Sequence, residues 1–388
     1  MTVLISLLKF PPDFTGAGFC TEWLYRKLKL KGVKRIYVLT TSVAYPTGVE
    51  RRSGITVIRI SKNPFIDSQK SRMKVFKKTI FVLSSVWRAI GVFRRLSKKV
   101  DMVHTVDSSW LSTVVAWCAF FAKKPQIREI VLLGHDDPLT LQKKPFFLRG
   151  LFLKPLHDAK LIIAVSPPLM KACVDYGLPA DKIWCRPNTV YFEEAVAAPK
   201  PIDVDFGLPT VLWVGKIGAR KNVDFLLKTA QYLQTPAQLL FVGPCEDEGY
   251  MALLLRLAKE AETKTKVRVR FLGRVDHRLQ LQEIYSMSSL FWFASHKEGL
   301  GNVVIEALLN GTPVVTLPVD GIMSYVLEGP GDGEIMDTQD PRQFAEGVDR
   351  CLKRGAFDRG DIMQRAKRRF DPDRIEDEYI QRFKKILA

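Results

Sequence analysis

The sequence has none of the cysteine or histidine patterns that mark a disulfide-rich or zinc-binding protein. Its six cysteines are scattered, no two of them form a Cys-x-x-Cys pair, and only five histidines occur in 388 residues. A disulfide framework or a structural zinc site is therefore not expected, and this cysteine usage favours a reducing cytosol.

Long hydrophobic runs are also missing. The most apolar stretches, residues 79–93 and 112–122, are too short to cross a bilayer, and the first contains Arg88. The apolar start, Val3–Leu8, has no preceding basic region and no small-residue cleavage site, so we predict a strand there and not a signal peptide. These features predict a cytoplasmic protein without a transmembrane segment.

Acidic residues are few. The chain has 41 Asp and Glu against 59 Lys and Arg, which gives a net charge of +18. Such a surplus favours an anionic partner, which can be a nucleic acid, an acidic membrane or a phosphorylated small molecule. The imbalance is strongest between Arg59 and Val100, where twelve Lys and Arg residues face a single acid, Asp67.

The chain does contain a regular alternation of apolar, β-rich runs and helical patterns, which is typical of parallel sheets with crossover helices. The strands predicted in the first half are Val3–Leu8, Arg35–Thr40, Ile55–Ile60, Met102–Val106, Ile127–Leu133 and Leu161–Val165. Those predicted in the second half are Val211–Val214, Leu239–Val242, Val267–Leu272, Leu290–Ala294 and Pro313–Thr316. The predicted helices include Phe19–Leu30, Val223–Leu233, Met251–Ala261 and Asn302–Leu309.

A stretch with three Pro and one Gly, residues 195–209, separates the two sets of strands. Because 388 residues are too many for one compact α/β core, we place a domain boundary near residue 200. The predicted fold class is α/β, with two doubly wound, Rossmann-like domains that face each other across a cleft. The domains are 1–199 and 200–369, and a helical pattern follows at 370–388.

Two glutamates, Glu298 and Glu306, flank a glycine-bearing turn between the predicted strand Leu290–Ala294 and the predicted helix Asn302–Leu309. The exposed amides of a helix start form an anion site, and two acids on either side suit a ligand about 10 Å long. A nucleotide-sugar has this form: one acid holds sugar hydroxyls, the amides hold diphosphate and the other acid holds the ribose diol. The alternative is that both glutamates are solvated helix residues. The predicted diphosphate contacts are Gly299, Leu300, Gly301, Asn302 and Val303.

A second glycine-bearing loop, residues 215–222, follows the predicted strand Val211–Val214 and carries Lys216 and Lys221. Fixed positive charge at a strand-to-helix turn can stabilise the charge that develops on a diphosphate leaving group. A basic loop is also compatible with an ordinary solvated surface. This loop therefore indicates a diphosphate site only in combination with the turn between Glu298 and Glu306.

Together these motifs resemble the nucleotide-binding domain of family-4 glycosyltransferases, a retaining family with the GT-B fold. The resemblance covers about 100 residues and rests on the following segments: Val-Gly-Lys at 214–216 with Lys221, Phe-Val-Gly-Pro at 241–244, Phe-Leu-Gly-Arg-Val at 271–275, the E-x7-E pair Glu298 and Glu306, and Asn-Gly-Thr-Pro-Val-Val at 310–315.

The resemblance implies a role for each matching residue. Lys216 and Lys221 would hold the donor diphosphate, Glu306 the ribose and Glu298 the transferred sugar, while main chain around Arg274 and Val275 would bind the base. The family usually has Arg at position 216. Lys216 keeps the charge but not the bidentate fork, which weakens the expected phosphate contact.

The first half is similar to the family more loosely. Its loop Pro11–Gly18, with Gly16, resembles the glycine-rich loop after the first strand, and Gly134-His135-Asp136 resembles the family's His-Asp segment. Ala-Val-Ser at 164–166 and Arg-Pro-Asn-Thr-Val at 186–190 match further markers, although Thr189 replaces the expected Gly. By this resemblance His135 is a catalytic residue at the donor sugar, as is Glu298.

The resemblance implies a hexosyltransferase that retains the anomeric configuration. The first domain would bind the acceptor, the second the nucleotide-sugar, and the helix at 370–388 would cross back to the first domain. Because the sequence offers no clear carboxylate nucleophile, we expect front-face attack with the departing phosphate taking the acceptor's proton. No metal motif is present and no cofactor is expected, since lysines and helix amides can take the place of a cation.

A basic amphipathic helix is predicted around residues 73–90. Met73, Phe76, Ile80, Leu83, Trp87 and Ile90 repeat at helical spacing beside Lys and Arg. The Phe146–Phe152 segment with Arg149 and Lys154 is a second apolar, cationic cluster. These features predict contact with an anionic membrane surface and a lipid-linked or cell-envelope glycan acceptor, unless the apolar stripe packs on the sheet.

Three rival functions remain open at this point. A sugar epimerase or phosphorylase could use the same scaffold, although the two acids with a basic diphosphate loop favour transfer. A nucleic-acid binder would explain the charge, but no recognition helix or aromatic-interleaved sheet motif is present. A non-catalytic scaffold would not require Lys221, Glu298 and Glu306.

Overall fold

The computed structural model describes residues 1–13, 15–43, 45–62, 73–190, 204, 207–275, 278–354 and 357–388, with side chains at 73–81 and 147 left out. The chain forms two compact units. The first comprises Met1–Thr189 and Pro372–Ala388, and the second comprises Val190–Asp371. The boundary predicted near residue 200 falls in a segment, 191–203, that lies outside the described residues.

The first unit is built on an eight-stranded sheet in the order β3-β4-β2-β1-β5-β6-β7-β8, parallel except for the pair β3 and β4. Its strands are β1 (Thr2–Lys9), β2 (Arg35–Ser42), β3 (Gly48–Arg52), β4 (Ile55–Lys62), β5 (Met102–Val106), β6 (Gln126–Ile130), β7 (Leu161–Ala164) and β8 (Ile183–Cys185). Its helices are α1 (Gly16–Leu30), α2 (Met73–Leu96), α3 (Trp110–Phe121), α4 (Pro138–Gln142), α5 (Phe146–His157) and α6 (Pro167–Asp175).

The second unit has a six-stranded parallel sheet in the order β11-β10-β9-β12-β13-β14. Its strands are β9 (Thr210–Val214), β10 (Ala237–Val242), β11 (Val267–Gly273), β12 (Leu290–Phe293), β13 (Val314–Thr316) and β14 (Gly333–Ile335). Its helices are α7 (Val223–Ala230), α8 (Glu248–Lys264), α9 (Arg278–Met287), α10 (Asn302–Leu309), α11 (Ile322–Val326), α12 (Pro341–Arg354) and α13 (Arg359–Arg369). The strand order reverses between β9 and β12, so the loops after these two strands meet at the switch point where doubly wound sheets bind ligands.

Helices cover both faces of the first sheet. On one face, α2 and α3 bury Ala89, Phe93, Leu111 and Val115 against the strands. The opposite face is covered by α1 and by the last helix, α14 (Pro372–Leu387). None of the helices within the described ranges is long and apolar enough to cross a membrane.

The apolar stripe predicted for α2 is exposed at Leu83 and Trp87, two of its three described members. Leu83 and Trp87 are exposed, and Ile90 is only half-buried, whereas the buried face of the helix is formed by Ala89, Phe93 and other residues. The side chains of Met73, Phe76 and Ile80 lie outside the described residues. The alternative in which the stripe is ordinary core is therefore wrong for Leu83 and Trp87, because the helix turns a different face to the strands.

The helix α14 is fixed to the first unit by a buried network as well as by apolar packing. Its Tyr379 hydroxyl bonds to Arg186, and Arg186 lies 2.9 Å from Glu129. His104 lies between the same carboxylate and Tyr25. Its Nε2 is 3.2 Å from Glu129, and its Nδ1 is 2.7 Å from the Tyr25 hydroxyl. The attraction of Arg186 and His104 holds the pKa of Glu129 below its ordinary value in spite of burial, which alone would raise it.

Candidate functional site

The loop after β9 is fastened to the end of β10. The amide of Gly215 donates to Val242 at 2.9 Å, and the amide of Ile217 donates to Pro244 at 2.9 Å. The two strand ends approach so closely that a Cβ on Gly243 would lie 1.8 Å from the carbonyl oxygen of Gly215. A side chain at position 243 would therefore displace the loop that carries Lys216.

The loop then turns toward β12. A 3-10 turn at Ala219–Lys221 ends at Asn222, which adopts the left-handed conformation that asparagine tolerates better than most residues. The amide of His296 donates to the carbonyl of Arg220 at 3.0 Å, and the guanidinium of Arg220 donates to the carbonyl of Lys297 at 2.6 Å. Residues 220–221 are thus held directly against the segment that carries Glu298.

Lys221 and Glu298, predicted from separate motifs, form an ion pair. The Lys221 Nζ lies 2.5 Å from Glu298 Oε1, and Arg220 Nη1 lies 3.3 Å from the same oxygen. Burial alone would raise the pKa of Glu298, but Lys221 and Arg220 outweigh it and hold that pKa below its ordinary value. Burial lowers the pKa of Lys221, and Glu298 offsets only part of the effect. The site therefore holds an ionised carboxylate beside two cations.

Glu306 occupies a different environment on α10. Its carboxylate accepts a hydrogen bond from the Tyr285 hydroxyl at 3.0 Å and lies 3.8 Å from the Arg278 guanidinium. Burial raises its pKa, and Arg278 and Tyr285 offset this rise only partly. The two glutamates thus differ, since the pKa of Glu298 is lowered and that of Glu306 is raised.

Lys216 pairs with a carboxylate as well. Its Nζ lies 2.6 Å from Glu246 Oε2, and both side chains are partly exposed. Glu246 belongs to the segment after β10, which the Gly215–Gly243 approach brings beside the loop of Lys216. The cation that the sequence assigns to diphosphate therefore already has an acidic partner in this structure.

The turn before α10 places backbone around this site. Gly301 caps the helix in the left-handed region with φ 84°, and a Cβ there would come 3.0 Å from the Met323 side chain. Gly299 and Leu300 are buried, while Asn302 and Val303 are half-buried. The first turn of α10 contains no acidic residue, so its positive end is not neutralised from within the turn.

Arg274 and Val275 follow the end of β11. Arg274 is exposed and Val275 is half-buried, and the next two residues lie outside the described part of the chain. The amide of Gly243 donates to the carbonyl of Gly273 at 2.7 Å, which joins this strand end to β10. The role of this segment in binding a base stays a prediction.

The predicted site residues of the first unit are described within that unit. Gly16 is the exposed first residue of α1, and a Cβ on it would meet no other atom within 4 Å. His135 is also exposed, and its Nδ1 lies 2.9 Å from Asp136 Oδ1. This bond raises the pKa of His135, because it favours the protonated ring, while partial burial opposes the rise. Their roles toward a donor stay predictions.

Four residues at the site carry no role in the sequence prediction, although each has a charged or polar contact to a predicted residue. Arg220 and Arg278 bind the two glutamates, Tyr285 donates to Glu306, and Glu246 binds Lys216. Arg220 adjoins Lys221 in the basic loop, so it could have been found there. The other three come from segments whose proximity depends on the tertiary fold.

Comparison with known proteins defines the class. Residues 208–354 match the family described as Glycosyl transferases group 1. A D-inositol 3-phosphate glycosyltransferase from Xylanimonas cellulosilytica is 25% identical over 375 residues, which cover 88% of this chain and 86% of that protein.

Two solved structures are similar in fold to this chain over nearly its whole length. Sucrose-phosphate synthase from Thermosynechococcus elongatus has a TM-score of 0.76 at 19% identity, covering 100% of this chain and 99% of the other. Anabaena HepE, solved in complex with UDP and glucose, has a TM-score of 0.74 at 18% identity, with coverages of 99% and 100%.

The predicted fold class is confirmed. Both units are Rossmann-like α/β units, and the chain has the GT-B fold. The predicted enzyme class is confirmed too: the chain is a glycosyltransferase, and the segment that matches the group 1 family contains all of the predicted residues of the second unit from Lys216 to Glu306.

Proposed function

We propose that the protein is a retaining glycosyltransferase of the family-4 type that transfers a hexose from a nucleoside-diphosphate sugar. The observation that carries the proposal is the convergence of three cations and two acids of the second unit around the turn before α10. Lys221 and Arg220 lie against Glu298, and Arg278 lies near Glu306. Both glutamates also stand at the spacing of the E-x7-E pair.

Each group has a part in donor binding. The diphosphate would bind Lys216, Lys221 and the amides of residues 299–303, where the helix start and the lysines supply positive charge. The ribose hydroxyls would donate to Glu306, and the hydroxyls of the sugar would donate to Glu298. Arg274 and Val275 would contact the base through main chain.

In the proposed reaction an acceptor hydroxyl oxygen attacks the anomeric carbon from the face of the leaving group. The bond from that carbon to the diphosphate oxygen breaks, and the departing phosphate takes the proton of the acceptor. Glu298 does not fit a double displacement, because its carboxylate is held by ion pairs with Lys221 and Arg220. The lysines stabilise the diphosphate charge, so the mechanism needs no metal ion.

The acceptor is proposed to be a lipid-linked or cell-envelope glycan at an anionic membrane surface. The net charge of +18 supports an acceptor that is itself anionic or that lies at an anionic surface. The relative from Xylanimonas cellulosilytica is named for transfer to an inositol phosphate, which is also an anion. A sugar epimerase or phosphorylase is the rival, and it would not release nucleoside diphosphate when acceptor is added.

A thermal-shift panel of UDP-, GDP- and ADP-sugars tests the donor proposal. One nucleotide is expected to raise the melting temperature of the wild-type protein, because ligand that binds only the folded state stabilises it. The shift should disappear in Glu306→Ala and persist in Glu346→Ala, a matched change at an exposed glutamate of α12. No shift with any of the nucleotides, or an equal shift in Glu306→Ala, would refute the proposal.

Donor affinity is expected to fall as the pH drops from about 7 toward about 5, a range above the ordinary pKa of glutamate. Burial raises the pKa of Glu306, so its carboxylate takes up a proton at a higher pH than an ordinary glutamate does and then accepts the ribose hydroxyls less well. Glu298 stays ionised because its pKa is lowered. A sugar nucleotide is the suitable ligand, since its diphosphate does not itself take up a proton in this range. Titration calorimetry should give a pH dependence for wild type that Glu306→Gln lacks; the same slope in both proteins would contradict the assignment.

Glu246→Gln is expected to raise the affinity for nucleoside diphosphate by about two- to fivefold, the range of an exposed ion pair. The ligand must displace the Glu246 carboxylate from Lys216, and a neutral amide competes less strongly. Calorimetry on Glu246→Gln and on the control Glu248→Gln measures the effect. Weaker binding by Glu246→Gln would mean that Glu246 itself contributes to holding the ligand.

A further inference from the structure

Three helices of the first unit form a continuous outer layer. The central helix, α3, contacts both α2 and α5. The side of this layer that faces away from the strands carries large apolar side chains in contact with solvent. We call this outer side, within residues 82–99, 110–124 and 142–157, the basic helical surface.

Aromatic and aliphatic side chains project from each of the three helices. Trp87 on α2 is 72% exposed, Phe121 on α3 is 75% exposed and Phe146 on α5 is 84% exposed. Leu83 and Leu151 are exposed as well. Single exposed apolar residues are common on proteins, but an exposed set on three adjoining helices is typical of an interaction site.

Long cationic side chains lie over the aromatic rings of this surface. Arg149 is 5.3 Å from the ring centre of Phe146, and Lys144 is 5.0 Å from that of Phe152. Lys154 lies 5.1 Å from the ring centre of Phe120 on α3, so it bridges two helices. In this arrangement apolar stems and rings can enter a hydrophobic layer while the charged ends reach polar groups beside it.

The charge of the surface has one sign. Residues 82–99, 110–124 and 142–157 contain eleven Lys and Arg and not one Asp or Glu. A second copy of the same surface would be repelled, which argues against a symmetric dimer formed through it. An anionic partner with an apolar interior is the complement of such a surface.

The basic helical surface also extends toward the edge of the sheet. Trp87, Arg88 and Arg95 border a groove of about 460 Å³ between α2 and the strands β3 and β4. Arg88 is fixed there by a bond from its guanidinium to the carbonyl of Ile60 at 3.1 Å. Exposed Val49 of β3 lines the other side of the groove, so apolar and cationic groups alternate here too.

We propose that the basic helical surface docks the protein on an anionic lipid bilayer, with Trp87, Phe121 and Phe146 in the interfacial layer and the lysines and arginines at the lipid phosphates. Aromatic side chains favour this layer, and basic residues near an anionic leaflet are attracted to it. Nucleic acid fits less well, because the aliphatic Leu83 and Leu151 have no counterpart on a phosphate backbone. The inference deepens the part of the proposed function that places the acceptor at a membrane.

Vesicle flotation tests the inference with the full-length protein. Vesicles of phosphatidylcholine with about 40% phosphatidylglycerol should carry the protein at about 50 mM salt, and binding should fall at about 500 mM salt, where screening is stronger. Pure phosphatidylcholine vesicles should carry much less. The double variant Phe121→Ser, Phe146→Ser and the double variant Arg149→Glu, Lys154→Glu should each lower binding by at least about tenfold.

Leu30→Ser is the matched control, because Leu30 is 82% exposed on α1, which covers the opposite face of the sheet. It should bind vesicles as wild type does. Absence of flotation at low salt, or equal flotation of the double variants, overturns the inference. The inference is also overturned if the protein binds a single-stranded or duplex oligonucleotide more tightly than vesicles and the same variants abolish that binding. A wild-type dimer that Phe121→Ser dissociates would overturn it too. The nucleotide-dependent thermal shift of each variant reports separately on folding and on the donor site.

Discussion

Lys221→Met is expected to lower kcat/KM for sugar transfer by about 10²- to 10³-fold, the typical loss when one fixed group that stabilises developing charge is removed. The physical reason is the position of Lys221 at the turn between β9 and α7, where its Nζ lies 2.5 Å from Glu298. In the proposed reaction its charge is needed most when the diphosphate leaves. Release of nucleoside diphosphate with saturating donor and acceptor measures the effect.

The same variant is expected to lose stability, which needs a control. Without Lys221 the buried carboxylate of Glu298 still has a cation beside it, Arg220 at 3.3 Å. The loss in free energy of unfolding should therefore stay below the roughly 3–5 kcal/mol that an unpaired buried charge costs. Adding Glu298→Gln removes that charge, so the double variant should regain stability but not activity.

Lys228→Met is the second control for this prediction, since Lys228 is an exposed residue of α7 whose Nζ pairs with Asp224 at 2.9 Å. Its kcat/KM should stay close to that of wild type. If the double variant Lys221→Met, Glu298→Gln recovered activity together with stability, the effect of Lys221 would be structural and its assigned role in the reaction would be wrong.

Phe383→Ala is expected to lower the free energy of unfolding by about 3–5 kcal/mol, the usual cost of removing a large buried aromatic side chain. Phe383 is fully buried on α14 and packs edge-to-face on Tyr379, with ring centres 5.5 Å apart. It also lies beside Tyr25 of α1, at 6.5 Å between ring centres. Chemical denaturation followed by circular dichroism measures the change.

Leu387→Ala, four residues further along the same helix, serves as the comparison because Leu387 is partly exposed. Its effect should stay within about 0.5–1 kcal/mol. A loss of less than about 1 kcal/mol in Phe383→Ala would mean that α14 adds little to the first unit, despite its share of that core.

The strands that carry the site could be predicted from their sequences because they are buried on both faces. Val211–Val214, Leu239–Val242 and Leu290–Ala294 are continuous apolar runs, and each is followed by a turn segment, the first two by a glycine at once. In the structure they form most of β9 and β10 and include the whole of β12. Apolar runs of this kind are the pattern that parallel strands require.

Three strands gave no comparable signal. β3 (Gly48–Arg52) is an exposed edge strand with a single apolar side chain, Val49, so it has no apolar pattern. β8 and β14 have three residues each, too few to show periodicity. Their position at the sheet edges follows from pairing with a neighbour that is already in place.

The residues of the candidate site also divide into those that the sequence identifies and those that it does not. Lys221, Glu298 and Glu306 stand in motifs, and the fold brings two of them into direct contact. Glu246, Arg278 and Tyr285 lie in other segments of the sequence. Their proximity to the site is visible only in the folded structure. The sequence left the orientation of α2 open for a related reason: its apolar residues are numerous enough to offer two faces, and packing against α3 and β4 selects between them.

A crystal structure with the nucleoside diphosphate selected by the thermal-shift panel tests the central claim most directly. The diphosphate is expected to lie against Lys216, Lys221 and the amides of residues 299–303, with the ribose hydroxyls donating to Glu306 and the Lys216–Glu246 pair opened. A nucleotide bound away from the turn before α10, with the Lys221–Glu298 and Lys216–Glu246 pairs unchanged, would contradict the assignment.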